Sequence, residues 1–369
     1  MMILRVPDFY FQFHCIADKC TDTCCTGWEI DIDQKTLDIY KGISTQKGSE
    51  FARKLLDNIE DGHFKLEPGD RCPFLRNDNL CEMICQLGSN GTDKLENGES
   101  VLCNICREHP RFVEVYGDIM EKGLGLCCEE AARLLLSEND KPLAFVEREI
   151  DDEPDNIPED VREARDAIFA ERKQMLNILA DKSKALSERL LEILEFAEQS
   201  QYEGIDDKAT HPKTNNSLSD NAVKQTWIEI LGEGESFGPT WDTAFERIVR
   251  KGWPTQSESI FSDNDGERIV SYMLFRYYAK SLFDGDFLGK VQFAIYFWII
   301  LKTFGRTLAE GAANIHGVSA EVSQKINAIK LLSKQTEYSE EIMGILADNF
   351  YENPAFSTEE FRKMIKGHL

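Results

Sequence analysis

What the 369-residue chain lacks narrows its chemistry first. It has no HExxH and no GxxxxGK[ST], so the common zinc-protease and phosphate-loop chemistries have no motif to rest on. Histidine is scarce: there are six, and only His14 and His109 lie beside cysteines. Basic residues are outnumbered, with 42 Lys and Arg against 66 Asp and Glu, a net charge of -24. A surface that acidic repels phosphate backbones and anionic lipid, so neither nucleic acid nor a membrane is expected as a partner. It favours a basic partner such as a lysine-bearing protein, although solubility alone also accounts for it. The start, "MMILRVPDFYFQFHC", has no long apolar core of a signal peptide. The most apolar run, "VQFAIYFWIIL" (291–301), is bracketed by Lys290 and Lys302 and falls short of the roughly 20 residues a bilayer requires. It reads as a buried helix, and a cytoplasmic protein is expected.

Cysteine is absent from the last 241 residues, yet the first 128 hold all 11: Cys15, Cys20, Cys24, Cys25, Cys72, Cys81, Cys85, Cys103, Cys106, Cys127 and Cys128. Scattered core thiols would not segregate this way. A disulfide scaffold suits small secreted domains and an even count, and fits poorly. A redox pair at Cys103–Cys106 ("CNIC") lacks the βαβ setting such pairs use and leaves nine cysteines unexplained. A metal or cluster site accounts for more of the pattern. Thiolates bind zinc or iron–sulfur clusters in sets of about four. The spacings are Cys15-x4-Cys20-x3-Cys24-Cys25, Cys72-x8-Cys81, Cys103-x2-Cys106, then Cys128. A ligand set nearly all sulfur points to iron–sulfur or an all-thiolate zinc site. The run at Cys20 breaks the C-x3-C-x2-C triad that would leave an open iron for S-adenosylmethionine.

Along the chain, "WEIDID" alternates Trp28, Ile30 and Ile32 with acids and predicts a short strand. A helix is expected over 34–60. "CPFLRNDNLC" predicts a small knuckle whose turn presents Cys72 and Cys81. "RFVEVYGDIMEKGLGL" predicts a β-hairpin turning near Gly117-Asp118, and Glu129–Leu136 a helix. After the acidic linker at 151–158, helices are expected over 159–199, 222–231, 240–251, 262–284, 286–306, 319–334, 336–351 and 357–366, with a polar loop over 200–221. The fold class expected is mainly α: an irregular cysteine-rich N-terminal domain with a short β-hairpin (1–150), then an all-helical C-terminal domain (151–369).

Three further stretches carry candidate chemistry. "GEGESFG" (232–238) has the look of a nucleotide loop but follows a helix, so it reads as a cap and turn, and no dinucleotide-binding domain is supported. Arg107 and Arg111 beside "CNIC" could offset thiolate charge or form ordinary ion pairs. Arg276, among aromatics and close in sequence to Asp284 and Asp286, could line a pocket, against a core-packing alternative.

The runs "PDFYFQFHCIADKCTDTCCTGWEIDID", "CPFLRNDNLC", "LCNICREHPRFVEVYGD" and "GLCCEEAARLLL", with the later "YMLFRYYAKSLFDGDFLGKVQFAIYF", together resemble the flagellin lysine-N-methylase family. The first part is also similar to small cysteine-rich proteins suspected of chelating zinc or iron. The resemblance implies methylation of flagellin lysines, S-adenosylmethionine as methyl donor and a 4Fe-4S iron–sulfur cluster, with zinc as the alternative metal. It implies Cys15, Cys20, Cys24, Cys25, Cys72, Cys81, Cys103, Cys106 and Cys128 as the family cysteines, and leaves Cys85 and Cys127 as extras. His109 and Glu129 stand where the family usually has Tyr and Pro.

Overall fold

The first strand, β1 (Met2–Pro7), finds both its partners more than a hundred residues away. The computed structural model, which describes residues 1–46, 50–89, 92–138, 140–202, 218–254 and 259–368, forms two compact units. One, the helical unit, joins Met1–Phe13 to Val113–Leu369. The other, the cysteine-rich unit, is His14–Phe112. These units divide differently from the segments 1–150 and 151–369 read along the chain, because β1 belongs to a sheet completed only by residues after 112.

Within the cysteine-rich unit, α1 (Gln34–Gln46) and α2 (Glu50–Asp57) precede a two-stranded ribbon of β2 (Ile59–Glu60) and β3 (His63–Phe64). Two short helices follow, α3 (Glu82–Leu87) and α4 (Asn104–Glu108). One helix was expected over 34–60; two are found, and 47–49 lie outside the described residues. "WEIDID" is no regular strand. Ile30 and Ile32 are nonetheless buried as the alternation requires, and the backbone joins the ribbon through Phe64 N to Ile30 O (3.1 Å) and Ile32 N to Gly62 O (2.7 Å). Within a core that also holds Ile30, Ile32, Leu55, Leu75, Met83 and Val101, the aromatics Tyr40, Phe64 and Phe74 pack together, with Phe64 and Phe74 edge to face at 5.0 Å.

In the helical unit, β4 (Arg111–Tyr116) and β5 (Ile119–Leu124) form the expected hairpin around Gly117, whose φ of +75° suits glycine. After α5 (Glu129–Leu136) comes β6 (Phe145–Ile150), giving a sheet ordered β4-β5-β1-β6. β1 runs parallel to β5 (Ile3 opposite Ile119) and antiparallel to β6 (Ile3 opposite Glu149). Glu121 of β5 points into the buried face, 2% exposed, where it is held by arginines.

The expected helix over 159–199 is two, α6 (Glu159–Ala180) and α7 (Leu186–Tyr202). The break is local chemistry. The Asp181 carboxylate accepts from Ser183 N (3.1 Å) and Oγ (2.6 Å), an Asx turn that competes with the helix. Most of the polar loop over 200–221 lies outside the described residues. Then follow α8 (Asp220–Glu229), α9 (Pro239–Lys251), α10 (Asp263–Tyr277), α11 (Ser281–Asp284), α12 (Phe287–Leu308), α13 (Ala320–Glu337), α14 (Glu340–Glu352) and α15 (Thr358–His368). The fold is mainly α, with one small sheet and a short ribbon among the described residues, as expected. "GEGESFG" is a turn, with glycines in the left-handed region at Gly234 and Gly238, the latter capping α9.

The apolar run lies in α12, which has 22 residues because apolar and small residues extend it at both ends. By length and composition it could cross a membrane, contrary to the expectation from the run alone. In the fold, 78% of its most apolar window is buried, against α7, α9, α10 and α13. Helix starts are fixed by side chains: Ser219, Ser319 and Ser339 cap α8, α13 and α14, and Ser262 and Asp265 form a capping box on α10.

Candidate functional site

The eleven cysteines do not stand in one group. Nine belong to the cysteine-rich unit: Cys15, Cys20, Cys24, Cys25, Cys72, Cys81, Cys85, Cys103 and Cys106. Cys127 and Cys128 belong to the helical unit.

Five of the nine meet in the core of their unit. Cys72 and Cys103 are buried, and Cys25, Cys81 and Cys106 are packed against the same cluster. Backbone hydrogen bonds bring them there. Cys72 N donates to Cys25 O (2.8 Å), which joins the first cysteine run to the knuckle. The knuckle closes through the bridge between Leu75 and Cys81 and the bond from Arg76 N to Leu80 O (3.0 Å). Asn79 takes the left-handed turn position at φ +60°, which Asn tolerates. Arg71 clamps this turn, donating from Nη2 to Leu75 O (2.7 Å) and Arg76 O (2.9 Å). Cys103 caps α4 and Cys106 lies one turn along, so the x2 spacing brings the two sulfurs into hydrogen-bond contact.

The thiols sit in unlike fields. The Cys25 thiol is lowered to about 7 by its hydrogen bond with Cys24, against the opposing effect of burial, with Thr23 and Arg71 assisting. Burial pushes Cys72 up to about 12 and Cys81 up to about 11. Between Cys103 and Cys106 the shared hydrogen bond lowers the first and raises the second. Several of these shifts include the field of the other core cysteines, which is the mark of sulfurs held close together.

Around the thiols stand residues the sequence did not single out. Asp33 carboxylate oxygens accept from Asn104 N (2.9 Å), Thr36 N (3.0 Å) and Thr36 Oγ1 (2.8 Å), tying the start of α1 to that of α4. Burial would raise its pKa, but these bonds outweigh it and lower it. Tyr40 donates to Val101 O (2.8 Å) just ahead of Cys103. Asp33 is legible as a helix cap; the reach to Asn104, 71 residues on, has no sequence signal.

The remaining cysteines are placed elsewhere. Cys15, Cys24 and Cys85 are exposed and Cys20 is half-buried. Trp28 Nε1 donates to Cys24 O (2.6 Å) and its ring meets His109 edge to face at 4.6 Å. Arg107 makes ordinary local bonds to Glu108 (2.9 Å) and Asn104 (2.8 Å). In the helical unit, Cys127 accepts from the Tyr338 hydroxyl and burial pushes its thiol up to about 12. Arg276 pairs not with Asp284 or Asp286, which face Lys290, but with Glu337 at 2.7 Å.

The donor chemistry of the five core thiols suits a thiolate-ligated centre. The sulfurs are not drawn in around a common point: among the described residues, no three His, Cys, Asp or Glu side chains are placed to hold one metal ion.

No family model matches the chain, and no solved structure matches it. Curated proteins do. It is 28% identical over 140 residues to the flagellar biosynthetic protein FliU of Salmonella muenchen, covering 36% of this chain and 77% of that protein. It is 28% identical over 140 residues to the lysine-N-methylases of Salmonella typhimurium and Salmonella choleraesuis, again 36% of this chain but 32% of theirs. The chain thus spans about a third of the length of the lysine-N-methylases it matches. Over that shared stretch the comparison bears out the likeness read from its cysteine runs: this chain is similar to the flagellin lysine-N-methylase family.

Proposed function

We propose that the chain is a protein-lysine N-methyltransferase that acts on flagellin, takes the methyl group from S-adenosylmethionine and carries an iron–sulfur cluster on its cysteine-rich unit. The observation that carries this reading is the likeness to proteins named lysine-N-methylase. The net charge of -24 supports a basic, lysine-bearing substrate. Of the cysteines the family resemblance implies, Cys25, Cys72, Cys81, Cys103 and Cys106 are the best-placed ligands, since they share one core. A cluster there requires the sulfurs to close in, with loss of their thiol protons.

The transfer itself is a displacement. A new N–C bond forms from the lone pair of the lysine nitrogen, the S–CH3 bond of the sulfonium breaks, and its electron pair stays on sulfur as a neutral thioether. The nitrogen must shed a proton. Presenting lysine neutral at pH 7 costs about 4.6 kcal/mol from a pKa of 10.4, which a base or desolvation must supply. A neutral amine is already nucleophilic, so no radical is required, and the cluster is read as structural or donor-binding. Formation of 5′-deoxyadenosine in step with methylation would overturn that part.

The test is incubation of the anaerobically purified chain with flagellin and methyl-labelled S-adenosylmethionine, with iron, zinc and acid-labile sulfide counted on the same preparation. Label on flagellin lysines is the expected result. No transfer from a preparation with an intact cluster would favour a non-enzymatic metal-binding protein, the alternative that the thiol core by itself supports.

A further inference from the structure

The helical unit holds a charged cluster that the thiol core does not explain. Glu337, the last residue of α13, has a side chain with no exposed surface. Its Oε2 lies 2.7 Å from Arg276 Nη1 and accepts from the Tyr277 hydroxyl at 2.9 Å. Its Oε1 is buried and accepts no hydrogen bond from the described residues. Aromatic rings surround the pair: the Arg276 guanidinium stands 5.2 Å from the Tyr277 ring and 5.7 Å from that of Tyr338. Tyr338 is half-buried. Its hydroxyl sits where Gly125 leaves room, since a Cβ there would fall 1.9 Å away.

A buried carboxylate oxygen without a donor is unfavourable, and native structures seldom leave one so. The carbonyl end of α13 adds negative potential beside Glu337, and the tyrosine rings suit a cation. Glu337 Oε1 is an acceptor, so its partner must bring an N–H. An ammonium does; a sulfonium does not.

We infer that Glu337, with Tyr277 and Tyr338, is a recognition site for an alkylammonium group, the side chain of the lysine to be methylated. The inference rests on the lysine-methylase reading for the identity of its ligand, not for the site.

The test uses the full chain with ring-labelled tyrosine, titrated with n-butylammonium and with n-butanol as the uncharged analogue. Saturable shifts at Tyr277 and Tyr338 are expected with butylammonium alone. Glu337→Gln should weaken binding at least tenfold, whereas Tyr277→Phe, which retains the carboxylate and frees a lone pair, should bind as well or better. Equal response to butanol, no saturable response in the parent chain, or undiminished binding by folded Glu337→Gln would overturn the inference. If Glu337→Gln does not fold, the butanol contrast and Tyr277→Phe decide. Flagellin methylation is measured on the same preparations. Glu337-dependent butylammonium binding without methylation would refute the enzyme and keep the site. Methylation with an unchanged flagellin KM in Glu337→Gln would refute the site and keep the enzyme.

Discussion

Replacing Arg172 with Met tests whether the sheet of the helical unit is pinned by one buried charge. Glu121 projects from β5 into the core, and its carboxylate receives both terminal nitrogens of Arg172, one at 2.8 Å. Arg172 also donates to Phe275 O (2.9 Å) and lies against the rings of Phe169 and Phe275. Arg5 reaches the same carboxylate at 3.0 Å from a more open position, 19% exposed. Removing one partner of a buried pair costs about 3–5 kcal/mol, because the other charge stays buried. Arg5 retains part of the pairing, which sets the expectation for Arg172→Met near ~3 kcal/mol. For a unit of this size that corresponds to a fall in Tm of roughly 6–12 °C. Arg5→Met should cost only about 1 kcal/mol, since its pairing is partly solvated. The double variant Glu121→Leu with Arg172→Met should be more stable than Arg172→Met alone, as no charge is left stranded. Urea unfolding followed by tryptophan emission reads the helical unit, which holds Trp227, Trp241, Trp253 and Trp298. A loss under about 1 kcal/mol for Arg172→Met, or a double variant weaker than the single, would refute the reasoning.

Ser262→Ala removes one half of the capping box on α10 and should cost about 1 kcal/mol by the same unfolding assay. Gly125→Ala forces Tyr338 from its place beside Cys127; a loss of about 1–3 kcal/mol and an altered Tyr338 ring signal are expected, and an unchanged signal would contradict the packing. In metal-free protein at pH 7.5, iodoacetamide should label Cys25 before Cys72 and Cys81, because only the first is ionised there. The same shifts fix the sign of stability against pH. The lowered Cys25 stabilises above 9 and its contribution is lost as pH falls through about 7, whereas Cys72 and Cys81 stabilise below 9 and theirs is lost as pH rises through about 11 to 12. Zinc loading should release protons, detectable in weakly buffered solution, since these two thiols start neutral; no release would show that the core does not bind the ion as thiolate.

Where local pattern decides structure, the sequence was readable. The β4–β5 hairpin around Gly117, α5 after the last cysteine pair and most later helices stand close to where the sequence places them. The break between α6 and α7 was missed because the periodic pattern continues across it while Asp181 and Ser183 form a turn. The candidate thiol core was half legible. Cysteine spacing announces a shared centre, but which thiols meet depends on backbone bonds such as Cys72 N to Cys25 O, across 47 residues. Arg276 is legible for its aromatic neighbours, with Asp284 and Asp286 close in sequence, but its ion partner Glu337 arrives from another helix. Ion-pair choice inside a core is set by helix packing, which no short window of sequence contains.

The cysteine-rich unit is an insertion: His14–Phe112 interrupts the chain between β1 and the strand hairpin that β1 must join. On the ribosome β1 therefore waits, unpaired, until roughly a hundred further residues have emerged, and its docking is a high-contact-order event. Closing a flexible loop of that length costs about 4 kcal/mol, a cost that falls when the insertion is already folded and its ends are fixed. Whatever orders the thiols, a metal above all, thus also lowers the entropic barrier to completing the sheet. Under the cluster reading proposed above, ligand binding to the thiols and completion of the sheet would then be thermodynamically linked.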